Sequence, residues 1–288
     1  MSSHLHQPGQ TASGIASAAE RFLAASGLAH LPGPDPGTLR EIYRAFTVLP
    51  YENVSKILKS RSTDGDRHVA PAFRTPEEVL EGWLSQRLGG TCFSLTHCLY
   101  TLLRHCGFSA YRVLGDMHHG RNIHCAVMVT LDGDQYLCDA GYLLPEPLRL
   151  APGGRRELDG PVYRYRLVAE PGTPPGYSLY SLTPSGVERW RYRIHDRPAD
   201  NAAFEYHWAR SFTLPLNDQL ILGRNAGEEQ IYVHKDNLRI TTSGGRKNRN
   251  LKKSIGTSVQ ELFGIDPGLV ERAYEITEPF KKAVRGGR

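Results

Sequence analysis

The sequence has no long apolar run. No segment of the 288 residues approaches the 18 or so consecutive apolar residues that a membrane-spanning helix needs. Residues 1–14 are polar and lack the basic start and apolar stretch of a secretory signal peptide. We therefore expect a cytoplasmic protein without a membrane partner.

The sequence also lacks the cysteine patterns of disulfide scaffolds and zinc sites. Its five cysteines are an odd number, and no two of them form a CxxC pair. His118 and His119 are a weak metal candidate, because adjacent residues of a strand point to opposite faces. A solvated loop between strands is the favoured interpretation, and we expect no metal site.

Charge of one sign is only slightly in excess. The chain has 35 Lys+Arg against 30 Asp+Glu, a formal net charge of +5. This excess is too small and diffuse to indicate a nucleic-acid partner, although it suits an anionic small molecule. Within the basic run 246–253, Arg246 and Lys247 are candidates for holding the phosphates of an anionic ligand, or an acidic partner protein. A basic surface loop is the alternative.

Helical patterns occupy the first third of the chain. Residues 16–25 are Ala-rich, and residues 38–41 and 75–78 both have the sequence of a capping box. Pro76 stands where the first helical residue is expected. A further helix is predicted to begin at Cys92, with apolar residues at helical spacing as far as Cys106 and with Gly107 as its C-cap.

The apolar period changes to two after Gly107. Residues 110–115, 123–131 and 135–139 are predicted strands, and Asp132-Gly133 is a hairpin turn signal between the last two. Further along, aromatic residues alternate with arginines, so Trp190, Tyr192 and Ile194 are expected to share a core face. Strands at 220–222 and 230–233 and helices at 258–263 and 268–274 follow. The order predicts an α+β protein with a helical domain at 1–107, a β-rich domain at 108–203 and an α/β part at 204–288.

Cys92 is a candidate nucleophile. A helix N-terminus supplies partial positive charge that favours the thiolate, and the Gly89-Gly90 pair before it lets the backbone enter tightly. Taken alone, a buried structural cysteine is the more common case.

His124 and Asp139 are predicted to lie near each other. If Asp132-Gly133 is a two-residue turn, the sequence numbers of two opposed residues in the hairpin add up to 265. His124 and Asp139 then share one face as diagonal neighbours. A three-residue turn would place them on opposite faces, and Asp139 would then cap a turn. Cysteine, histidine and aspartate in this layout are typical of thiol enzymes, without indicating which reaction.

Four segments together resemble the arylamine N-acetyltransferase family. Residues 87–92, Arg-Leu-Gly-Gly-Thr-Cys, resemble its Arg-Gly-Gly-x-Cys motif, with Leu88 at the position of the arginine. Residues 124–129 resemble its histidine segment. Residues 139–142, Asp-Ala-Gly-Tyr, resemble its Asp-Ala-Gly-Phe segment, and residues 50–54, Pro-Tyr-Glu-Asn-Val, resemble its Pro-Phe-Glu-Asn-Leu.

The resemblance implies a fold and a mechanism. The expected fold is an N-terminal helical domain, a central antiparallel β-barrel and a C-terminal α/β lid, around a cysteine-protease-like core. Acetyl-CoA or another acyl thioester would be the co-substrate, with no permanently bound cofactor, and a small-molecule amine the acceptor. Cys92, His124 and Asp139 would form the catalytic triad, and the substrate-binding candidates are Tyr51, Thr91, Phe93 and Tyr142.

Three alternatives remain open at the sequence level. The family's amide synthases keep the triad but take their acyl group from a carrier protein. A cysteine hydrolase, such as an amidase or peptidase, uses the same three side chains. A non-catalytic binding protein on an enzyme scaffold is the third.

Overall fold

The computed structural model describes residues 12–60, 72–150, 154–173, 175–183 and 185–285. Residues 1–11 of the segment considered above as a possible signal peptide therefore lie outside the described part. No helix in the described ranges combines the length and the apolarity that crossing a bilayer requires.

The N-terminal part of the described chain is helical, as expected. Its apolar helix faces form one buried cluster that includes Phe22, Tyr43, Leu80 and Leu99, and strand residue Val127 packs into the same cluster. The helices are α1 (Ala12–Ala25), α2 (Pro36–Phe46), α3 (Val54–Ser60), α4 (Pro76–Gln86) and α5 (Cys92–His105).

The two predicted capping boxes have different outcomes. Thr75 caps α4 with the reciprocal Glu78 bonds, and Pro76 is the first helical residue, so this prediction is confirmed. The box at Thr38 is wrong. α2 begins earlier, because Asp35 is its N-cap and accepts from the backbone N–H groups of Gly37 and Thr38.

The central part is an eight-stranded antiparallel sheet. Its order is β5-β4-β3-β2-β9-β8-β7-β6, and the end strands β5 and β6 lie close together, so the sheet is a nearly closed barrel. Its apolar interior includes Ala126, Tyr165, Leu179 and Tyr192. The strands are β2 (Ser109–Met117), β3 (Gly120–Leu131), β4 (Asp134–Cys138), β5 (Leu148–Arg149), β6 (Arg155–Asp159), β7 (Arg164–Glu170), β8 (Gly176–Leu182) and β9 (Glu188–His195).

The β3–β4 hairpin has the predicted register. Leu131 pairs with Asp134 and Val127 with Cys138, so opposed residues sum to 265. Asp132 and Gly133 both have positive φ, at 48° and 83°, as a type I′ turn requires. His118 and His119 form the turn between β2 and β3, as the solvated-loop interpretation predicted.

A β-bulge in β9 interrupts the alternation expected there, so the prediction that Trp190 shares a face with Tyr192 and Ile194 is wrong. Leu179 pairs with Tyr192 but Tyr180 pairs with Trp190, which leaves Arg191 as the extra residue. Tyr192 and Ile194 are buried in the barrel interior as predicted. Trp190 is turned to the other face, where its indole N–H donates to Ser178 Oγ.

The C-terminal part contains a second antiparallel sheet, of order β1-β10-β11-β12-β13. Its strands are β1 (Tyr51–Glu52), β10 (Ile221–Ala226), β11 (Glu229–His234), β12 (Asn237–Thr242) and β13 (Gly245–Asn250). Helix α6 (Asn201–Arg210) and two short 3-10 helices precede it, and α7 (Ile255–Phe263) and α8 (Pro267–Arg285) pack on it. Residues 246–250 of the basic run are therefore not in a loop, because residues 245–250 form the exposed edge strand β13, and residues 251–253 follow that strand in a turn.

The predicted α+β class, with N-terminal helices, a central antiparallel barrel and an α/β C-terminal part, is confirmed. The domain limits 1–107, 108–203 and 204–288 stay a prediction, as does a lid movement of the last part. One strand crosses these limits, because Tyr51 and Glu52 pair with Gly223 and Leu222 of β10.

Candidate active site

Cys92 is the first residue of α5. Thr91 before it is the N-cap residue, with extended backbone, and its side chain makes no capping hydrogen bond. The backbone N–H groups of the first turn and the positive end of the helix therefore lie at the Cys92 side chain. Cys92 is partly buried, and its Sγ lies 3.9 Å from the carbonyl oxygen of Ile123 on β3.

Glycines allow close approach of the backbone at Cys92. A Cβ on Gly141 would stand 2.9 Å from both Cα and Cβ of Cys92. A Cβ on Gly89 would stand 1.9 Å from the carbonyl oxygen of Pro50. The chain after β4 and the segment before α5 can therefore pack this tightly only with glycine at these positions.

The His124 and Asp139 side chains are joined as the hairpin register predicts. His124 Nε2 lies 2.7 Å from Asp139 Oδ2, and both residues are buried. The other carboxylate oxygen, Oδ1, accepts from the backbone N–H of Tyr142 at 2.9 Å. Because Nε2 is occupied, Nδ1 is the imidazole nitrogen left for the Cys92 thiol, with which His124 shares a hydrogen bond.

The surroundings of Cys92 favour its thiolate. A hydrogen bond from the Cys125 thiol is the main cause that lowers the pKa of Cys92, to about 5, and burial opposes it. The hydrogen bond and charge of His124 and the charge of Lys56 lower the pKa further. Cys92 is therefore ionised at neutral pH.

The protonated form of His124 is favoured in turn. Burial lowers the pKa of His124, but the Asp139 carboxylate and then the Cys92 group outweigh burial and raise it to about 10. At pH values between about 5 and about 10, Cys92 and His124 thus form a thiolate–imidazolium pair.

Cys125 reaches Cys92 because β3 has a free edge at this point. The pairing of β3 with β4 extends only as far as Val127 opposite Cys138, and the start of α5 packs beside the preceding residues. One turn into α5, Thr96 Oγ1 donates to the Cys125 carbonyl oxygen at 3.1 Å. Cys92 therefore lies at the strand edge, where His124 from one face and Cys125 from the other both contact it.

Aromatic rings surround the imidazole. The Tyr192 ring centroid lies 4.5 Å and the Tyr142 centroid 6.2 Å from that of His124. Tyr192 is fully buried, and burial and the Asp139 charge raise the pKa of its phenol well above the usual value. The rings exclude water from the His124–Asp139 bond, which strengthens it.

The predicted substrate-binding residues differ in exposure. Tyr51 and Tyr142 are partly exposed, and burial of the phenol and then the Cys92 charge raise the pKa of Tyr51. Thr91 and Phe93 are buried, and the Phe93 ring packs on Phe204 with centroids 5.3 Å apart. The Phe93 side chain has no surface for a substrate in this arrangement, and all four assignments stay predictions.

A buried ion pair that the sequence did not indicate supports the segment before Cys92. Arg74 Nη1 donates to the carbonyl oxygen of Gly89 and to Ser55 Oγ, and it lies 3.7 Å from Glu52 Oε1. Ser55 donates to the same carboxylate through its backbone N–H and its hydroxyl. Leu88, at the position of the motif's arginine, packs instead with the core of the second sheet. Arg74 thus supplies a buried guanidinium next to Gly89 from a distant part of the sequence.

Arg246 and Lys247 lie far from this centre. They belong to β13, four strands away from β1 in the second sheet, or about 19 Å at the usual strand spacing. Both side chains are exposed. Their predicted contact with phosphates stays a prediction. Within the described ranges, no three His, Cys, Asp or Glu side chains are grouped as a metal site would require.

Known proteins are similar to this chain in sequence and in fold. A family model described as N-acetyltransferase matches residues 36–269. Proansamycin X synthase of Amycolatopsis mediterranei is 27% identical over 181 residues, which are 59% of this chain and 64% of that protein. Arylamine N-acetyltransferase 1 of Bos taurus is 30% identical over 132 residues, 41% of this chain and 42% of that protein. These matches thus cover less than two thirds of the relatives' length.

A solved structure matches over nearly the whole fold. The Mycobacterium marinum arylamine N-acetyltransferase in complex with CoA superposes with a TM-score of 0.71 at 19% identity, covering 88% of this chain and 97% of that chain. The family match spans most of the sequence. The chain belongs to the arylamine N-acetyltransferase family.

Proposed function

We propose that this protein is an N-acyltransferase that carries an acetyl group from acetyl-CoA, through a thioester on Cys92, to a small-molecule amine. The observation that carries the proposal is the position of Cys92 at the start of α5, beside the hydrogen-bonded His124–Asp139 pair. Membership of the N-acetyltransferase family and the CoA complex of a structural neighbour support the choice of donor.

The first half-reaction would begin with the Cys92 thiolate. Its Sγ attacks the thioester carbonyl carbon of the donor, and the carbon–sulfur bond to CoA breaks. His124 gives its proton to the departing CoA thiolate. The first-turn N–H groups of α5 lie beside the developing oxyanion. The products are free CoA and acetyl-Cys92.

The second half-reaction would return the enzyme to its starting state. The amine nitrogen attacks the acetyl carbonyl carbon, and neutral His124 takes a proton from that nitrogen. The bond to Sγ breaks, which restores the thiolate–imidazolium pair. Asp139 holds the imidazole through Nε2 and stabilises its charged form.

The proposal is tested by intact-protein mass spectrometry after incubation with acetyl-CoA. We expect a single acetyl adduct on the wild type, none on Cys92→Ala, and loss of the adduct when an arylamine is added. An adduct that disappears equally fast in buffer, releasing acetate, would instead identify a hydrolase. No adduct on a Cys92 that iodoacetamide still alkylates would exclude acetyl-CoA as the donor.

Two observations favour a second candidate for the donor. Proansamycin X synthase is among the relatives, and the exposed β13 carries Arg246, Lys247 and Arg249. Such a strand suits an acidic carrier protein that delivers the acyl group on a pantetheine arm. Transfer from an acyl carrier protein but not from acetyl-CoA would establish this donor, and charge reversal at Lys247 should then slow the transfer.

A further inference from the structure

The bulge in β9 turns an arginine toward the interior side of the barrel. Arg191 is the unpaired residue of the bulge, and its Nε donates to Ser181 Oγ at 2.7 Å. Ser181 pairs with Tyr165, whose side chain is buried in the barrel interior, and Ser181 is itself buried. Arg191 therefore lies on the interior face of the sheet, unlike Arg193, which pairs with Ser178 on the outer face.

The sheet register places Arg191 at the same end of the barrel as the catalytic centre. Gly115 pairs with both His124 and Ile194, and Met117 pairs with Tyr192. Arg191 is adjacent to Tyr192 and lies one residue nearer the turn between β2 and β3. The chain after β4 also runs toward this end, because β4 is antiparallel to β3. That chain carries Tyr142.

Tyrosine side chains connect Arg191 with His124. The Tyr142 centroid is 6.3 Å from that of Tyr165 and 6.2 Å from that of His124. Burial raises the pKa of both tyrosines, and the Arg191 charge, acting on each of them, opposes this rise. The guanidinium charge thus acts on both rings. The Tyr142 ring lies next to both Tyr165 and the His124 imidazole.

Arg191 is partly exposed, and among the described ion pairs none includes it, whereas Arg193 lies 3.2 Å from Glu170. A guanidinium oriented by Ser181 and flanked by phenols offers a planar pair of N–H donors to a carboxylate. A single cation suits one carboxylate better than the several phosphates of CoA.

We propose that Arg191 and Ser181 form a subsite for a carboxylate on the acceptor amine, at the opposite end of the acceptor from its attacking nitrogen. This assignment rests on the proposed function and defines its substrate class as anionic aromatic amines. Tyr142 would pack against the aromatic ring between the two ends. The subsite raises affinity for the acceptor without taking part in bond making.

The test compares 4-aminobenzoate with its neutral analogue 4-aminobenzamide as acceptors for the acetyl-enzyme. In the wild type we expect KM for the benzoate to be about tenfold lower than for the benzamide, since a hydrogen-bonded charge pair of this kind discriminates by that order. Arg191→Met should remove the difference by raising only the benzoate KM, and Arg191→Lys should restore part of it. Arg193→Met, on the same strand, should preserve the difference. An unchanged preference in Arg191→Met, or none in the wild type, would overturn the subsite.

A second readout separates this subsite from the transfer reaction. Either analogue bound at Cys92 should protect the thiol from iodoacetamide. We expect the benzoate to protect at about tenfold lower concentration in the wild type and equally with the benzamide in Arg191→Met. This result, without acetyl transfer, would retain the subsite and refute the proposed function. Acetyl transfer together with equal protection by both analogues would retain the proposed function and refute the subsite. A change in acetyl-enzyme formation itself would place Arg191 at the donor.

Discussion

At the scale of residues, the reactivity of Cys92 depends on neighbours with different origins in the sequence. Cys92 and the His124–Asp139 pair follow from a helix start and a hairpin register, both of which are local patterns. Cys125 is next to His124 in sequence, yet alternation places it on the opposite face, so the pattern does not predict its contact with Cys92. The free edge of β3 explains that contact.

Replacing Cys125 with Ala should make Cys92 less acidic. The variant loses the hydrogen bond that is the main cause of the low pKa, about 5, of Cys92. A hydrogen bond to a charged group contributes about 1.5–3 kcal/mol, so we expect the pKa to rise by about one to two units. The measurement is the iodoacetamide alkylation rate of Cys92 against pH, whose midpoint moves upward.

The direction of the Cys92 pKa shift also predicts how the stability of the fold depends on pH. The folded pKa of Cys92 lies below its ordinary value, so its ionisation stabilises the fold at high pH, and that stability is lost as pH falls through about 5. Cys125→Ala should move this loss to higher pH. Cys98→Ala is the control, because Cys98 is buried in the helical core and leaves the Cys92 hydrogen bonds intact. An alkylation midpoint that Cys125→Ala leaves unchanged would contradict the assignment.

At the scale of elements, the close packing of the chain after β4 on α5 brings Asp139 and His124 to Cys92. Gly141→Ala should separate them, because the new Cβ would stand 2.9 Å from Cys92 Cα and Cβ. We expect a loss of about 1–3 kcal/mol in the free energy of unfolding, as for other overpacked sites, and acetyl-enzyme formation reduced more than tenfold. Urea unfolding and mass spectrometry measure the two effects.

Gly244→Ala is the matched control for Gly141→Ala. Its new Cβ would have its nearest neighbour at 3.7 Å, an ordinary contact, and we expect both properties to stay at the wild-type level. Full activity in Gly141→Ala would show that the loop accommodates a methyl group and does not position the site.

The elements also show where sequence reasoning succeeds. The Asp132-Gly133 turn was predictable because positive φ at both positions favours these residues, and the turn then sets the register. The start of α2 was not predictable, because Asp35 and Thr38 are both good N-cap residues and Pro36 selects the earlier one. The bulge at Arg191 leaves no signal in an alternating aromatic–arginine sequence. Arg74 was missed because its partners Glu52 and Gly89 are distant in sequence.

At the scale of the whole molecule, Asn53 ties the N-terminal segment to the second sheet. Its side-chain N–H donates to the Gln219 carbonyl oxygen at 2.7 Å, and its Oδ1 accepts from the Ile221 N–H at 2.8 Å. Asn53→Ala should lower the free energy of unfolding by about 2–3 kcal/mol, because both backbone groups lose a partner. Urea unfolding measures this loss, and Asn237→Ala, an exposed site on β12, should change stability by less than about 0.5 kcal/mol. Equal stability of the two variants would refute this stabilising role of the Asn53 hydrogen bonds.

The pairing of β1 with β10 has a consequence for the order in which a growing chain becomes an enzyme. Asn53 and Ile221 are 168 residues apart, so translation at ~5–20 residues per second makes the first of them on the order of ten seconds or more before the second. During that interval Glu52 and Arg74 have only part of their final surroundings, and Gly90 is bridged to β1 before the other strands of that sheet exist. The nucleophile, about a third of the way along the chain, therefore acquires its full support only when the last third has been synthesised and folded. A ribosome-bound fragment that ends before β10 would carry a Cys92 that is present but not yet held in place.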